Sequence, residues 1–394
     1  MSQLPQSAQL TACPVCHEPL DPADNFCGGC GADLSAAPAA AGPAGPGGTA
    51  GESRQRAARY RDPDDYRLAP PGTPAVPVQG GHDATGAAGR RRPCGACGSG
   101  MIDDDGYCEH CGHAQPRERD HMEHETTGVA AVSDRGLRHH RNEDAYAVST
   151  TALPDGSPAV LAVVCDGVSS AARSDEASAA ASSGALASLE AAVTTGTSPR
   201  EATHRAILDA AEAVNALAAA GHRRPREHHQ ENAPACTIVS AVITGELLTV
   251  GWVGDSRAYW VPDDRSTQPA RLTEDDSWAA QMVAAGLLSE AEAYADERAH
   301  AITGWLGADA YEVEPHTAAF HPDRPGVVVV CTDGLWNYAE TAEQMAAVIP
   351  SDARERPLET ARRLVGYALD GGGHDNVTVA VLPFPARPSE GGTA

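Results

Sequence analysis

Five segments of this chain bring an aspartate to the boundary of an apolar run. Residues 160–165 read VLAVVC and lead into Asp166 and Gly167; residues 327–331 read VVVVC and lead into Thr332, Asp333 and Gly334. HHRNEDAY places Glu143 and Asp144 at the start of another run, VGDSRAY places Asp255 between two, and GGGHDNVTV places Asp375 and Asn376 before the last. An Asp-Gly pair alone can simply mark a turn. Five such carboxylates in one region point instead to a site where they are gathered. Several ionised carboxylates share a buried site only when cations neutralise them. Hard oxygen donors suit Mg²⁺ or Mn²⁺.

The cysteines carry a second chemistry. Eight of the 11 fall into two copies of one unit: Cys13, Cys16, Cys27 and Cys30, then Cys94, Cys97, Cys108 and Cys111. Each copy has two CxxC knuckles ten residues apart, an aromatic (Phe26, Tyr107) before the second knuckle and a glycine after it. A CxxC turn presents two thiolates to one side of a tetrahedral Zn²⁺, and two such turns close the site. Redox pairs or disulfides are the alternatives for a single CxxC; an identical repeated quartet in a cytosolic chain favours zinc. Units this short bury too little surface to fold alone, so two structural Zn²⁺ would supply the folding energy. The units resemble zinc ribbons. Cys165, Cys236 and Cys331 lie inside apolar runs and read as small buried hydrophobes.

The elements that must position these groups follow from pattern. The chain has 394 residues, is 42% hydrophobic and only 4% aromatic, so its core is built from Val, Leu, Ile and Ala. Strands are expected at Val129–Val132, Ala145–Val148, Val160–Cys165, Thr237–Thr244, Leu247–Val253, Ala258–Val261, Val327–Thr332 and Val377–Leu382. Helices are expected over 174–193, over 198–221 with Ser198 as N-cap and Glu201 completing a capping box, as two short pieces around Gly286, and over 359–373. Adjacent strands alternating with helix pairs suggest an α+β layered architecture. The expected divisions are a first ribbon at 11–34, a flexible Ala/Pro/Gly-rich linker at 35–93, a second ribbon at 94–115, the main domain at 124–384 and a disordered tail at 385–394.

Composition excludes some partners. The formal net charge is −25, and the first ribbon carries no Lys or Arg, so nucleic acid is not an expected partner. No apolar run is long enough to span a membrane, and the N-terminus has no secretory pattern. A cytoplasmic protein is expected.

The ordered series RNEDA, VCDGV, WVGDSRAYW, LTEDDSW, AITGWLG, VCTDGLWN and GGHDNVTVAVL resembles the motifs of the type 2C metal-dependent protein phosphatases, the PPM family, over roughly residues 124–384. The resemblance implies a four-layer α-β-β-α sandwich of two antiparallel sheets flanked by helices. It implies hydrolysis of phosphoserine and phosphothreonine on proteins, using two Mn²⁺ or Mg²⁺ and a weaker third, with a Ser/Thr kinase or its substrates as partners. By position, Asp166 matches a carboxylate bridging both metals, and the Gly167 carbonyl a ligand to the second. Asp333 and Asp375 match ligands to the first, Asp144 a ligand to the second, and Glu143 a residue acting through metal-bound water. Asp255 matches the third site, and Asn376 is expected to order the Asp375 loop. A zinc-ribbon scaffold that binds phosphoproteins without turnover is the alternative; the presence of Asp144, Asp166, Asp333 and Asp375 speaks for the enzyme.

Some positions depart from the family pattern. Where the family places an arginine after DRG stands His139, near Arg138 and Arg141. His139 is expected to donate to substrate phosphate, with Arg138 as the alternative. Ser169 and Ser170 replace glycines, Gly304 stands where an arginine is usual, and Asn337 where an aspartate often supports the third metal.

Overall fold

The computed structural model describes Cys97, residues 108–111, Gln115 and residues 117–221, 233–310 and 312–385. The first cysteine unit, the 35–93 segment, Cys94 and residues 386–394 lie outside the described residues.

The chain enters through a 3-10 turn, Glu118–Asp120. It continues into β1 (His121–Thr126), β2 (Val129–Asp134), β3 (Ala145–Ala152) and β4 (Pro158–Cys165). Two long helices follow, α1 (Ser174–Thr194) and α2 (Pro199–Gly221). Then come β5 (Ala235–Cys236), β6 (Ile238–Thr244), β7 (Leu247–Val253), β8 (Arg257–Pro262) and β9 (Ala270–Arg271). Short helices α3 (Trp278–Ala284) and α4 (Glu290–Tyr294) precede β10 (Leu306–Gly307), β11 (His316–Phe320) and β12 (Gly326–Cys331). The chain closes with α5 (Asp333–Trp336), α6 (Ala342–Val348), α7 (Pro357–Asp370) and β13 (Val377–Phe384).

Two antiparallel sheets result, in the orders β1-β2-β13-β12-β8-β9 and β11-β7-β6-β4-β3, with β5 and β10 forming a small separate pair. Side-chain alternation explains the layering. On β12, Val327, Val329 and Cys331 pack against α5–α7, while Val328 and Val330 face the other sheet. On β4, Leu161, Val163 and Cys165 pack against α1 and α2, while Val160, Ala162 and Val164 face inward. Both strands are therefore buried on both faces, which is why they read as unbroken apolar runs. The four-layer α-β-β-α sandwich expected from the sequence is the fold observed.

All eight expected strands are present. The main sheet also begins earlier than residue 124, because β1 pairs with β2 from His121↔Asp134 onward. Edge strands β1 and β11 are mostly polar or small and lack clean alternation, so the pattern hides them. The Ser198 cap is in place, its Oγ accepting from the Glu201 amide at 3.4 Å.

Two polar devices fix the β7–β8 turn. Arg257 is fully buried and pairs bidentately with buried Asp275 at 3.0 and 2.6 Å. Its guanidinium lies 3.6 Å from the Trp336 ring centroid, and the Trp336 indole donates to the Asp255 carbonyl at 2.9 Å. On the other side of the turn, Asp276 accepts from the Gly254 amide at 2.8 Å and pairs with His316 at 2.8 Å. His316 also stacks on Trp252. A side chain at Gly304 would place its Cβ 2.8 Å from the Asp276 carboxylate, so a larger residue there fits only if Asp276 gives up its place.

Two outcomes follow from these devices. Arg257→Ala leaves buried Asp275 with only Arg271, 3.9 Å away, and should lower unfolding free energy by about 3–5 kcal/mol in urea denaturation. The Asp276 carboxylate raises the His316 pKa above its ordinary 6.5, chiefly through their hydrogen bond. That pair therefore stabilises the fold fully below about pH 6.5 and loses its contribution as pH rises through the raised value. The melting-temperature gap between wild type and His316→Asn should be widest near pH 6 and close in alkaline buffer.

Candidate metal centre

The five carboxylates come from five chain segments and meet at one end of the sandwich. Asp144 precedes β3 and Asp166 follows β4, flanking the paired residues Ala145 and Cys165. Asp333 follows β12 and Asp375 precedes β13, beside the paired residues Cys331 and Val379. Asp255 sits in the β7–β8 turn, the link from one sheet to the other.

The glycines after Asp166 and Asp333 answer the turn reading. Neither has a left-handed backbone. A Cβ on Gly167 would lie 2.6 Å from the Glu143 carbonyl, and one on Gly334 would lie 1.9 Å from the Asn376 carbonyl. These glycines are there because the loop bearing the neighbouring carboxylate passes directly over them.

The electrostatics are those of crowded like charges. Burial is the first cause raising all five carboxyls above the ordinary aspartate range. Mutual repulsion adds to it: Asp166 feels Asp144, Asp333, Asp375 and Asp255. Asp255 is pushed up to about 8 and Asp333 to about 6. Basic groups meet the rim, not the centre: His139 Nε2 lies 3.1 Å from Asp375, and Arg141 lies 2.8 Å from Glu143. Among the described residues no basic side chain pairs with Asp144, Asp166 or Asp333.

Neighbours hold the acids in place. Thr332 donates to Asp144 at 3.0 Å, and Thr378 gives it a second hydrogen bond. Glu143 accepts from Ser174 at 2.7 Å, and its carbonyl accepts from Ser178, so the Ser/Ala-rich face of α1 underlies it. Asn376 ties three points of the β2–β3 loop to its own loop. Its Oδ1 accepts from the Glu143 amide at 2.7 Å, and its Nδ2 donates to the Arg135 and Arg141 carbonyls at 2.7 and 3.1 Å. Arg119 reaches from the 3-10 turn and donates to the carbonyls of Asp144 and Asp175 at 3.0 and 3.1 Å.

Sequence reasoning named the five aspartates, Glu143, Gly167 and Asn376, and the structure gathers them. It did not find Thr332, Thr378, Ser174 or Arg119. Nor did it give a role to Asp275 and Asp276, although LTEDDSW stood out as a motif. His139 is engaged with Asp375, while Arg138 is exposed beside it. Asn337 donates to the Asp333 carboxylate at 3.3 Å. Cys165, Cys236 and Cys331 are wholly buried free thiols, and burial pushes Cys165 and Cys331 well up.

A separate cluster lies in the second cysteine unit. The sulfurs of Cys97, Cys108 and Cys111 all fall within 4.8 Å of one another, with Cys97 and Cys108 at 3.6 Å. No helix among the described residues is long and apolar enough to cross a membrane.

Comparison with known proteins places this geometry. Residues 135–357 match the family model for protein phosphatase 2C. The serine/threonine protein phosphatase PstP of Mycobacterium tuberculosis is 34% identical over 147 residues, covering 37% of this chain and 26% of that protein. The serine/threonine phosphatase stp of Listeria innocua is 30% identical over 152 residues, covering 38% of this chain and 57% of that protein. The chain thus spans about a quarter to just over half the length of these curated relatives. The crystal structure of the M. tuberculosis phosphatase PstP/Ppp superposes with a TM-score of 0.50 at 26% identity, covering 65% of this chain and 97% of that one. The crystal structure of a bacterial serine phosphatase superposes at 0.51 with 20% identity, covering 66% and 99%, and shares the fold. With more than half its length matched by the family model and the motif aspartates converging at one end of the sandwich, the chain belongs to the protein phosphatase 2C family.

Proposed function

We propose that this protein hydrolyses phosphoserine and phosphothreonine on protein substrates with a pair of divalent cations held by the aspartate cluster. The observation that carries this reading is the un-neutralised charge at the centre. Asp144, Asp166 and Asp333 are gathered by the fold, raised by burial and by one another, and given no basic partner among the described residues. Carboxylates crowded in this way ionise together at neutral pH only when cations offset their charge. All the donors are hard oxygens, the set that suits Mn²⁺ or Mg²⁺. The family and the printed function of the PstP and stp relatives support the same chemistry.

Asp166, the Gly167 carbonyl and Asp144 would hold one cation, and Asp166, Asp333 and Asp375 the other. Asp255 would supply a third, weaker position; Asn337 takes the place of an acid there and instead bonds Asp333. Bound cations lower the pKa of a coordinated water toward neutrality and offset phosphate charge, which is the chemistry hydrolysis needs.

The protein's own part is positional. Thr332 and Arg119 fix Asp144 from its side chain and its backbone. Asn376 holds the β2–β3 loop, at Arg135, Arg141 and Glu143, against the Asp375 loop. His139 orients Asp375, which leaves exposed Arg138 as the nearby guanidinium able to meet a phosphate with two hydrogen bonds. Kinases or their phosphorylated substrates are the partners this chemistry implies.

The cysteine units fit structural zinc. Three of the second unit's four sulfurs already lie within 4.8 Å of one another, and soft thiolates in that number select Zn²⁺ over the hard cations of the aspartate cluster. We assign both units to docking or regulation, since four-cysteine sites leave no open position for catalysis.

The full chain, stripped of metal, should regain turnover of a phosphothreonine peptide on adding Mn²⁺. Asp166→Asn should cost roughly 10³-fold in kcat, the scale of losing a preorganised electrostatic group. Undiminished turnover in chelator, or in the variant, would remove the two-cation reading. Mn²⁺ should also raise the melting temperature of wild type by several degrees and that of Asp166→Asn by less.

A further inference from the structure

A cleft of about 240 Å³ opens beside the aspartate cluster, between the loop after Gly167 and the segment leaving α4. Val168 and Ala171 form one wall, and Ile302 and Trp305 the other, with Ser170 and Asp309 at its polar margin. Val168 directly follows Gly167, and its amide donates to the Ala235 carbonyl at 3.0 Å, so this wall is tied to the candidate centre. On the opposite wall Ile302 pairs with Ser277 at the start of α3, directly after Asp276.

The cleft is built, not incidental. The Trp305 indole donates to Asp309 Oδ1 at 3.0 Å, which fixes both the ring and the carboxylate. The second oxygen of Asp309 takes no hydrogen bond among the described residues. Gly304, next to Trp305, brings no competing cation to that wall.

From this geometry we infer a substrate subsite for a basic side chain, an arginine or lysine lying within a few residues of the phosphorylated serine or threonine. The inference rests on the phosphatase reading. The volume is below what cofactors and drug-sized ligands occupy and suits one long side chain. Val168, Ala171 and Ile302 take an aliphatic stem, as such stems pack along apolar surface. The Trp305 face attracts the cation, and the open oxygen of Asp309 pairs with it. The net charge of −25 favours basic segments over acidic ones at longer range. Occupied in this way, the subsite selects phosphoproteins by a cation near the phosphoresidue, through a wall that continues the Asp166–Gly167 loop.

The test is a phosphothreonine peptide panel assayed on the full Mn²⁺-loaded chain, with arginine, leucine, glutamate or glycine placed in turn at each of the three positions on either side. Para-nitrophenyl phosphate is the small-substrate control. At one position arginine should raise kcat/KM about tenfold over glycine. Asp309→Asn and Trp305→Ala should each remove most of that gain while leaving para-nitrophenyl phosphate turnover unchanged, and Trp305→Phe should keep part of it. Equal gains in wild type and Asp309→Asn, or a preference for leucine or glutamate, would overturn the subsite. Should wild type fail to turn over the small substrate, the phosphatase reading falls. The subsite is then decided by calorimetric binding of the arginine and glycine peptides to wild type and Asp309→Asn: a difference confined to wild type upholds it, and none rejects it.

Discussion

Everything at the working end of this molecule depends on one unfavourable interaction: five buried or half-buried carboxylates repel one another where two apolar sheets end. The sheets can tolerate it because their stability is earned elsewhere, in three separate apolar layers of Val, Leu, Ile and Ala. The repulsion is confined to strand termini, where side chains leave the layers. A cluster of this kind placed at mid-strand would break the core that holds it.

Holding repelling groups together needs rigid neighbours, and these are mostly neutral. Thr332, Thr378, Ser174 and Asn376 donate hydrogen bonds without cancelling charge, so position is fixed while the demand for cations persists. Full charges are used further out. Arg257 and Asp275 cancel inside the core next to the Asp255 turn, and His316 and Asp276 close its other side. The division keeps the centre negative and its surroundings neutral.

Much of this was legible in the chain. Runs such as VVVVC announced strands buried on both faces, and the aspartates stood where those runs stopped. The sandwich followed from the motif series, and its layers from alternation. What the pattern hid has physical reasons. Strands β1 and β11 lie at sheet edges, where no second face must be apolar. Thr332 and Thr378 look like ordinary strand residues until β12 and β13 pair and turn them toward Asp144. Asp275 and Asp276 are adjacent in sequence yet serve opposite sides of one turn, which no spacing rule reveals. Asp-Gly looked like a turn marker, but at 167 and 334 the glycine answers to a backbone passing overhead.

The contact made by Arg119 bears on how such a protein can be assembled from parts. The family match starts at residue 135, yet the 3-10 turn precedes it, as do β1 and β2, which belong to the sheet whose strands β12 and β13 border Asp333 and Asp375. Arg119 sits only eight positions after Cys111 and bonds the backbone of Asp144. The stretch that joins the cysteine module to the phosphatase 2C-family domain is thus also a brace of the carboxylate cluster. Recombination that exchanged front-end modules at the edge of the family match would carry that brace away with the old module. A graft that spares the centre has to be cut upstream of Arg117, so the connector travels with the main domain and not with the module it joins.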